Sequence, residues 1–234
     1  MPNVISAVGT AFIGEGSGAT TLSVTPTTLG NCLVFSTVIS SSSLSTVSVS
    51  GGGVTTWTKL GSSFVDSSDS RTFDFWIGAV TTTGAVTITI TGSGALTGVT
   101  VRFVAQEFSG GGAGTLWTLD NSQTGGLINS ASTTVTFPTL TPSGANSCYV
   151  GRSWTFNDGL LTGQTSGYTV QLDTGTGPFI YNANVSTVQS PVATQNSPAQ
   201  PSSTFGALIV ASSPPASPPD PPVNRARLTR ASCW

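Results

Sequence analysis

Val86-Thr87-Ile88-Thr89-Ile90-Thr91 alternates strictly between an apolar side chain and a threonine. Successive side chains of a β-strand point to opposite faces of the sheet, so this period of two predicts a half-buried strand with one face in water. Phe73-Asp74-Phe75-Trp76-Ile77, nearer the N-terminus, is apolar on nearly both faces. That pattern predicts a central strand, covered on both sides.

Short segments of the same kind recur along the chain, separated by clusters of glycine, serine, asparagine and proline. They predict strands at residues 4–12, 32–39, 116–119 and 147–155, among others. Threonine favours pleated surfaces, whereas the helix formers lysine and glutamate are scarce. We therefore expect an all-β fold, an antiparallel β-sandwich of the jelly-roll type.

One sequence pattern occurs twice. A Thr-rich strand and a Thr-Pro turn at residues 19–26 lead through Gly30-Asn31 into the buried strand that begins at Cys32. A second Thr-rich strand at residues 132–137 leads through another Thr-Pro turn into the strand that holds Cys148. The repetition predicts two related halves, and we expect both cysteines to be inert core thiols.

The composition changes near residue 213, which divides the chain into a sandwich domain at 1–212 and an extended arm at 213–234. The arm contains Pro214-Pro215-Ala216-Ser217-Pro218-Pro219-Asp220-Pro221-Pro222, which lacks the N–H groups that a sheet requires. We expect a polyproline II helix with a reach on the order of 30 Å. Its basic end is expected to bind a partner protein through Arg225, Arg227, Leu228, Arg230 and Trp234.

Charged residues make up only 7% of the chain, against about 25% in an average soluble domain. The net charge is −2, although the arm is basic, so the sandwich domain is the more acidic part. Without a basic face to displace counterions, nucleic-acid binding is not expected. The chain shows neither a secretory signal nor an apolar run of about 20 residues, so we expect no membrane insertion.

Catalytic residue patterns are missing from the sequence. The chain contains no histidine, and its cysteines lack metal-ligand spacing. Glu107 is the carboxylate most suggestive of a catalytic role. The alternative interpretation is a buried glutamate that is hydrogen-bonded to a turn or paired with Arg102 or Arg152. Asp66 and Asp69 lie in a serine-rich segment, which favours a solvated loop over a calcium site. We expect no enzyme activity, no cofactor and no metal.

The tryptophans are the remaining candidates for ligand binding. Core packing best explains Trp76 and Trp154, which lie within predicted strands. Trp57 and Trp117 lie near turns and are candidate glycan-stacking residues, with core packing as the alternative for both.

Five segments follow one another along the chain: Gly30-Asn31-Cys32-Leu33-Val34, Ser48-Val49-Ser50-Gly51-Gly52-Gly53-Val54-Thr55-Thr56-Trp57, Phe75-Trp76-Ile77-Gly78, Val86-Thr87-Ile88-Thr89-Ile90 and Gln106-Glu107-Phe108-Ser109-Gly110. Their order resembles β-sandwich proteins of tailed bacteriophages, of the minor tail or capsid-decoration type, and related bacterial surface domains. The resemblance covers residues 1–212, and Cys32 stands where leucine is more usual.

The resemblance implies a virion structural protein on the particle surface, either decorating the capsid or belonging to the tail. Its partners would be other virion proteins and copies of itself, and it would be synthesised in the host cytoplasm. The family offers no catalytic residues to carry over. The alternative function is a carbohydrate-binding or adhesin module that contacts a glycan of the host cell envelope.

Overall fold

A computed structural model describes residues 3–155, 162, 164–171, 177–195 and 199–213. These residues form sixteen strands: β1 Ser6–Ser17, β2 Thr21–Val24, β3 Cys32–Ile39, β4 Thr46–Gly51, β5 Thr58–Lys59, β6 Phe64–Asp66, β7 Arg71–Ala79, β8 Val86–Gly92, β9 Thr100–Ser109, β10 Leu116–Ser132, β11 Thr134–Thr136, β12 Ser147–Thr155, β13 Thr169–Gln171, β14 Phe179–Val185, β15 Val192–Thr194 and β16 Gln200–Ser212.

Within the described residues, the strands form two large and two small antiparallel sheets. One large sheet has the order β1-β9-β3-β7-β5, and β6 also pairs with β7. The other has the order β10-β16-β12-β14-β13. The small sheets are β2-β8-β4 and β11-β15. The predicted all-β antiparallel sandwich is confirmed.

The sheets stack in four layers, because both faces of each large sheet are covered. In β3, Cys32 and Val34 face the core between the two large sheets, whereas Leu33 and Phe35 face the core beneath β2-β8-β4. In β12, Tyr149 faces a third core beneath β11-β15. Every residue of β3 and of β12 is buried. Burial on both faces explains why these strands are apolar without alternation.

Aromatic side chains join the two large sheets across the central core. Phe205 of β16 stacks on Phe75 of β7 with ring centroids 5.3 Å apart, and on Phe64 of β6 at 6.0 Å. Phe108 of β9 meets Tyr181 of β14 edge to face at 5.3 Å. Such pairs add about 0.5–1.5 kcal/mol each beyond the burial of their surface.

The two large sheets have matching topologies. Strands β10, β16, β12 and β14 follow the same order as β1, β9, β3 and β7. Each edge strand has a register shift within a few residues of its start, between Val8 and Phe12 in β1 and between Leu119 and Thr124 in β10. The contacts between β10 and β7 are matched by contacts between β1 and β14. The described chain therefore consists of two related halves, linked by residues 110–114.

The two cysteines occupy corresponding places in these halves, each near the start of a central strand. Both are free, buried thiols of the central core. Burial raises the pKa of both thiols, and the proximity of Cys32 raises that of Cys148 further. Because the thiolate is the reactive form, these cysteines are inert, as the sequence predicts.

Two edge strands are longer than their sequences predict. The sequence predicts strands at 4–12 and 116–119, whereas β1 runs to Ser17 and β10 runs to Ser132. Both are largely half-exposed, so glycine and polar residues replace the apolar alternation that marks a buried strand.

Across the described ranges, the structure contains no helix with the length and apolar character that a membrane crossing requires.

Candidate functional site

Glu107 is buried in β9, and its carboxylate accepts hydrogen bonds from the loop between β2 and β3. The backbone N–H of Thr27 donates to Oε2 at 3.0 Å, and the side-chain amide of Asn31 donates to Oε1 at 2.6 Å. Arg102 pairs instead with Glu15, Nη2 to Oε1 at 2.7 Å. Of the readings open in the sequence, the glutamate bonded to a turn is the one observed.

Asp120 has a similar role in the second half, but it lies in β10, the counterpart of β1, whereas Glu107 lies in β9. It lies at the register shift of β10 and holds the loop between β11 and β12. The backbone N–H of Ser143 and the hydroxyl of Ser147 donate to Oδ2 at 3.0 and 2.6 Å, and the Ser143 hydroxyl donates to the same carboxylate. The sequence alone did not identify this residue. The repeated loop before each central strand is the signal that points to a second anchoring acid.

The Asp66–Asp69 segment matches the expected solvated loop only in part, because Ser67, Ser68 and Ser70 are exposed whereas Asp66 is 1% exposed. Its carboxylate accepts a hydrogen bond from the Ser68 backbone N–H at 2.9 Å and another from the Ser203 hydroxyl of β16. Burial alone would raise the pKa of Asp66, but these hydrogen bonds hold it below its ordinary value. Ser203 of the second half contacts the Asp66 carboxylate, which the local sequence could not reveal.

Lys59 and Asp74 form an ion pair, with Nζ 2.7 Å from Oδ1. The same carboxylate accepts hydrogen bonds from the Thr46 N–H at 2.8 Å and the Ser63 hydroxyl at 2.6 Å. Asp74 therefore ties two loops to the central strand β7.

In the described part of the chain, no group of three or more acidic or cysteine side chains could hold a metal ion.

Both candidate glycan-stacking residues are partly buried. Trp57 donates its indole N–H to the Gly51 carbonyl at 3.0 Å, and its ring meets Phe35 edge to face at 5.9 Å. Trp117 donates its indole N–H to the Gly30 carbonyl at 2.9 Å and packs against the central core. Packing and hydrogen bonding thus already occupy part of each indole.

Trp154 joins the halves at the other end of the sandwich. The guanidinium groups of Arg71 and Arg102 both lie over its ring, with their central carbons 4.2 and 4.1 Å from the ring centroid. Burial lowers the pKa of Arg71, against the opposing effect of Asp69. Trp76 and Trp154 are each 6% exposed, as expected for core tryptophans.

An apolar groove lies where the first half meets the link between the halves. It has a volume of about 420 Å³ and continues into a smaller pocket of about 210 Å³ beside Thr56, Thr58 and Trp117. Leu29 and Leu116 border it and are 50% and 48% exposed. We call this surface the junction groove; its larger part is lined by Leu29, Gly30, Ala79, Val80, Thr81, Ala113, Gly114, Thr115 and Leu116.

The described chain ends beside the junction groove, at Ser213. The residues expected to bind a partner protein, Arg225, Arg227, Leu228, Arg230 and Trp234, lie outside the described residues, as does the rest of the arm from Pro214 onward. No protein-family model matches the chain, and no curated protein sequence matches it either. Function is therefore inferred from the residues and their contacts.

Proposed function

We propose that the chain is a structural protein of a tailed-bacteriophage particle, exposed on the particle surface as a capsid-decoration or minor tail component. One observation carries the proposal: the buried carboxylates of the described chain, Asp66, Asp74, Glu107 and Asp120, all fix loops through hydrogen bonds. Groups that could otherwise perform acid–base chemistry serve the fold, which suits a structural protein rather than an enzyme.

The exterior of the first half supports the same proposal. The outward side chains of β8 are Thr87, Thr89 and Thr91, and their neighbours across the small sheet include Ser23 and Ser50. Such a face is polar yet uncharged. It suits a protein held at its place by neighbouring subunits rather than one kept apart by net charge.

The arm supplies the means of attachment in this proposal. Arginines and a terminal tryptophan are side chains that often dominate protein interfaces. An extended arm that orders on binding can cover a large partner surface. Arg225, Arg227 and Arg230 would pair with acidic groups of neighbouring virion subunits, and Leu228 and Trp234 would provide apolar contacts.

The proposal is tested in the phage whose genome encodes the chain. A gene lacking residues 213–234 should yield a folded sandwich that is missing from purified particles, measured by mass spectrometry of the virion. A variant that keeps the arm but carries R225S, R227S and R230S separates the effect of charge from that of length. Normal incorporation of the truncated protein contradicts the attachment role of the arm.

A second candidate function is glycan binding at the host envelope. The observation that favours it is the placement of Trp117 beside the hydroxyls of Thr56 and Thr58 in the junction groove. An aromatic face next to hydroxyl groups is a common sugar-binding arrangement. A glycan array probed with the isolated protein, and repeated with Trp117→Leu, tests this function. Loss of a defined glycan signal in the variant supports it.

A further inference from the structure

The junction groove is an apolar surface without a cover in the described chain. Leu29 and Leu116 border it with about half of their surface in water, and Ala79, Val80 and Ala113 form its floor and walls. Apolar patches that are grouped in a concave surface usually mark a binding site. The question is what occupies this one.

The chain leaves the sheet next to this groove. Ser212, the last residue of β16, pairs with Leu116 of β10, and paired strands lie about 4.8 Å apart. The other side of β16 is taken by Asn3, whose N–H donates to the Ala211 carbonyl at 2.7 Å and whose side chain accepts a hydrogen bond from Ser213. The chain therefore leaves the sheet between Asn3 and Leu116, and Leu116 borders the groove.

The sequence that follows the exit has the right pattern of side chains. A polyproline II helix has three residues per turn. Pro215, Pro218 and Pro221 would therefore share one stripe, and Ala216, Pro219 and Pro222 the next. The third stripe holds Pro214, Ser217 and Asp220. Two adjacent apolar stripes and one polar stripe make an amphipathic polyproline II helix.

We propose that residues 214–222 dock in the junction groove of their own chain as a polyproline II helix. The two apolar stripes cover Leu29 and Leu116, while Ser217 and Asp220 stay in water. The hydroxyls of Thr56 and Thr58 can donate to carbonyl groups of the helix, since proline-rich segments offer acceptors and few donors.

The same chain is favoured over a second copy because a short tether holds the segment near its groove at an effective concentration of about 1 mM. Docking would fix the direction in which the basic end leaves the sandwich, toward a partner. The inference concerns the isolated chain, so it can fail or succeed independently of the incorporation of the protein into particles.

The test uses the full chain with Cys233→Ser and a single reporter thiol introduced by Leu29→Cys. Cys32 and Cys148 are buried, so native-state labelling with a maleimide reports the introduced thiol. The native arm is compared with P218D/P219D, which places two charges on the apolar stripes. The matched control P214D/S217D places the same two charges on the polar stripe. A second reporter, Val47→Cys in the exposed part of β4, lies away from the groove.

We expect position 29 to be labelled roughly tenfold more slowly with the native arm than with P218D/P219D, as for a site with a Kd of about 0.1 mM at 1 mM effective concentration. The P214D/S217D arm should protect position 29 as well as the native arm does. Labelling at position 47 should be the same with all three arms. Equal labelling of position 29 with all three arms overturns the proposal. Protection that increases with protein concentration also overturns it, since the arm of a second copy would then be the occupant.

Discussion

Glu107 shows at the scale of one residue why the charged side chains matter to this fold. Glu107→Gln replaces a carboxylate with an amide that can present N–H groups to the N–H of Thr27 and the amide of Asn31. Losing charge-assisted acceptors in a buried site should lower the free energy of unfolding by about 1.5–3 kcal/mol. Urea unfolding measures the loss.

Glu15→Gln is the matched control for this change. Glu15 also accepts a hydrogen bond from a protein group, Arg102, but its side chain is 30% exposed and it lies in the edge strand β1. Partly exposed ion pairs contribute less than about 1 kcal/mol. Equal losses for the two variants would show that Glu107 does not anchor the loop between β2 and β3.

Asp66 predicts how stability depends on pH at the acid end. Its folded-state pKa lies below its ordinary value, so its contribution is complete above about pH 4 and is lost as the pH falls through the folded-state pKa. Asp69, whose pKa is raised by burial, contributes in the opposite direction. The comparison with Asp66→Asn isolates the first effect.

The unfolding free energy should therefore fall below pH 4 with a shallower slope in Asp66→Asn than in the wild type. Between pH 5 and 8 it should be nearly flat in both, since the chain has no histidine to titrate there. Urea unfolding at half-unit steps of pH measures both regions. An identical acid slope in the two proteins contradicts the role of Asp66.

At the scale of strands, the sequence predicts what is buried better than what is paired. The alternation at Val86–Thr91 identifies β8, and the apolar run from Phe73 identifies β7, because burial selects the side chains directly. The glycine-rich and polar part of β10 from Asn121 onward carries no such pattern. Its pairing with β16 follows from contacts between distant segments.

Contacts between the halves were equally inaccessible to the sequence. The hydrogen bond from Ser203 to Asp66 and the packing of Arg71 and Arg102 over the ring of Trp154 join strands far apart in the chain. The hydrogen bonding of Glu107 to a turn could be anticipated, because the acid lies in phase with apolar residues and requires buried donors.

Gly30 is the place where a single side chain would disturb the junction of two elements. Its φ of +83° is unfavourable for other residues, and a Cβ would overlap the Gly112 carbonyl and lie 2.6 Å from Cα of Ala113. Gly30→Ala should therefore destabilise the protein by about 3 kcal/mol or more, from backbone strain plus overlap. Thermal unfolding measures the effect.

Gly84→Ala separates the contribution of backbone strain from that of steric overlap. Gly84 has a φ of +98°, but a Cβ there would meet nothing within 4 Å. It should carry the strain of a positive φ alone, about 1–2 kcal/mol. If both substitutions lower the stability by the same amount, the loop at 110–114 shifts readily to accept the new side chain. The loop then does not fix the first half to the link between the halves.

At the scale of the molecule, two related halves share one central core while each keeps an outer core of its own. The central core draws on β3, β7 and β9 from the first half and on β12, β14 and β16 from the second. A half on its own would expose this face of its large sheet to water. The shared core therefore makes the halves dependent on each other, which favours unfolding in one cooperative step.

Phe205 tests this dependence, because it belongs to the second half and its ring stacks on Phe64 and Phe75 of the first. Phe205→Ala should lower stability by about 3–5 kcal/mol, from lost burial and the cavity left behind. In one cooperative unit, native-state hydrogen exchange should show equal loss of protection in β3 and β12. The exposed Val188→Ala serves as the control and should change neither strand. If β12 loses protection while β3 keeps it, the halves unfold separately and the central core is a docking interface between two independent sandwiches.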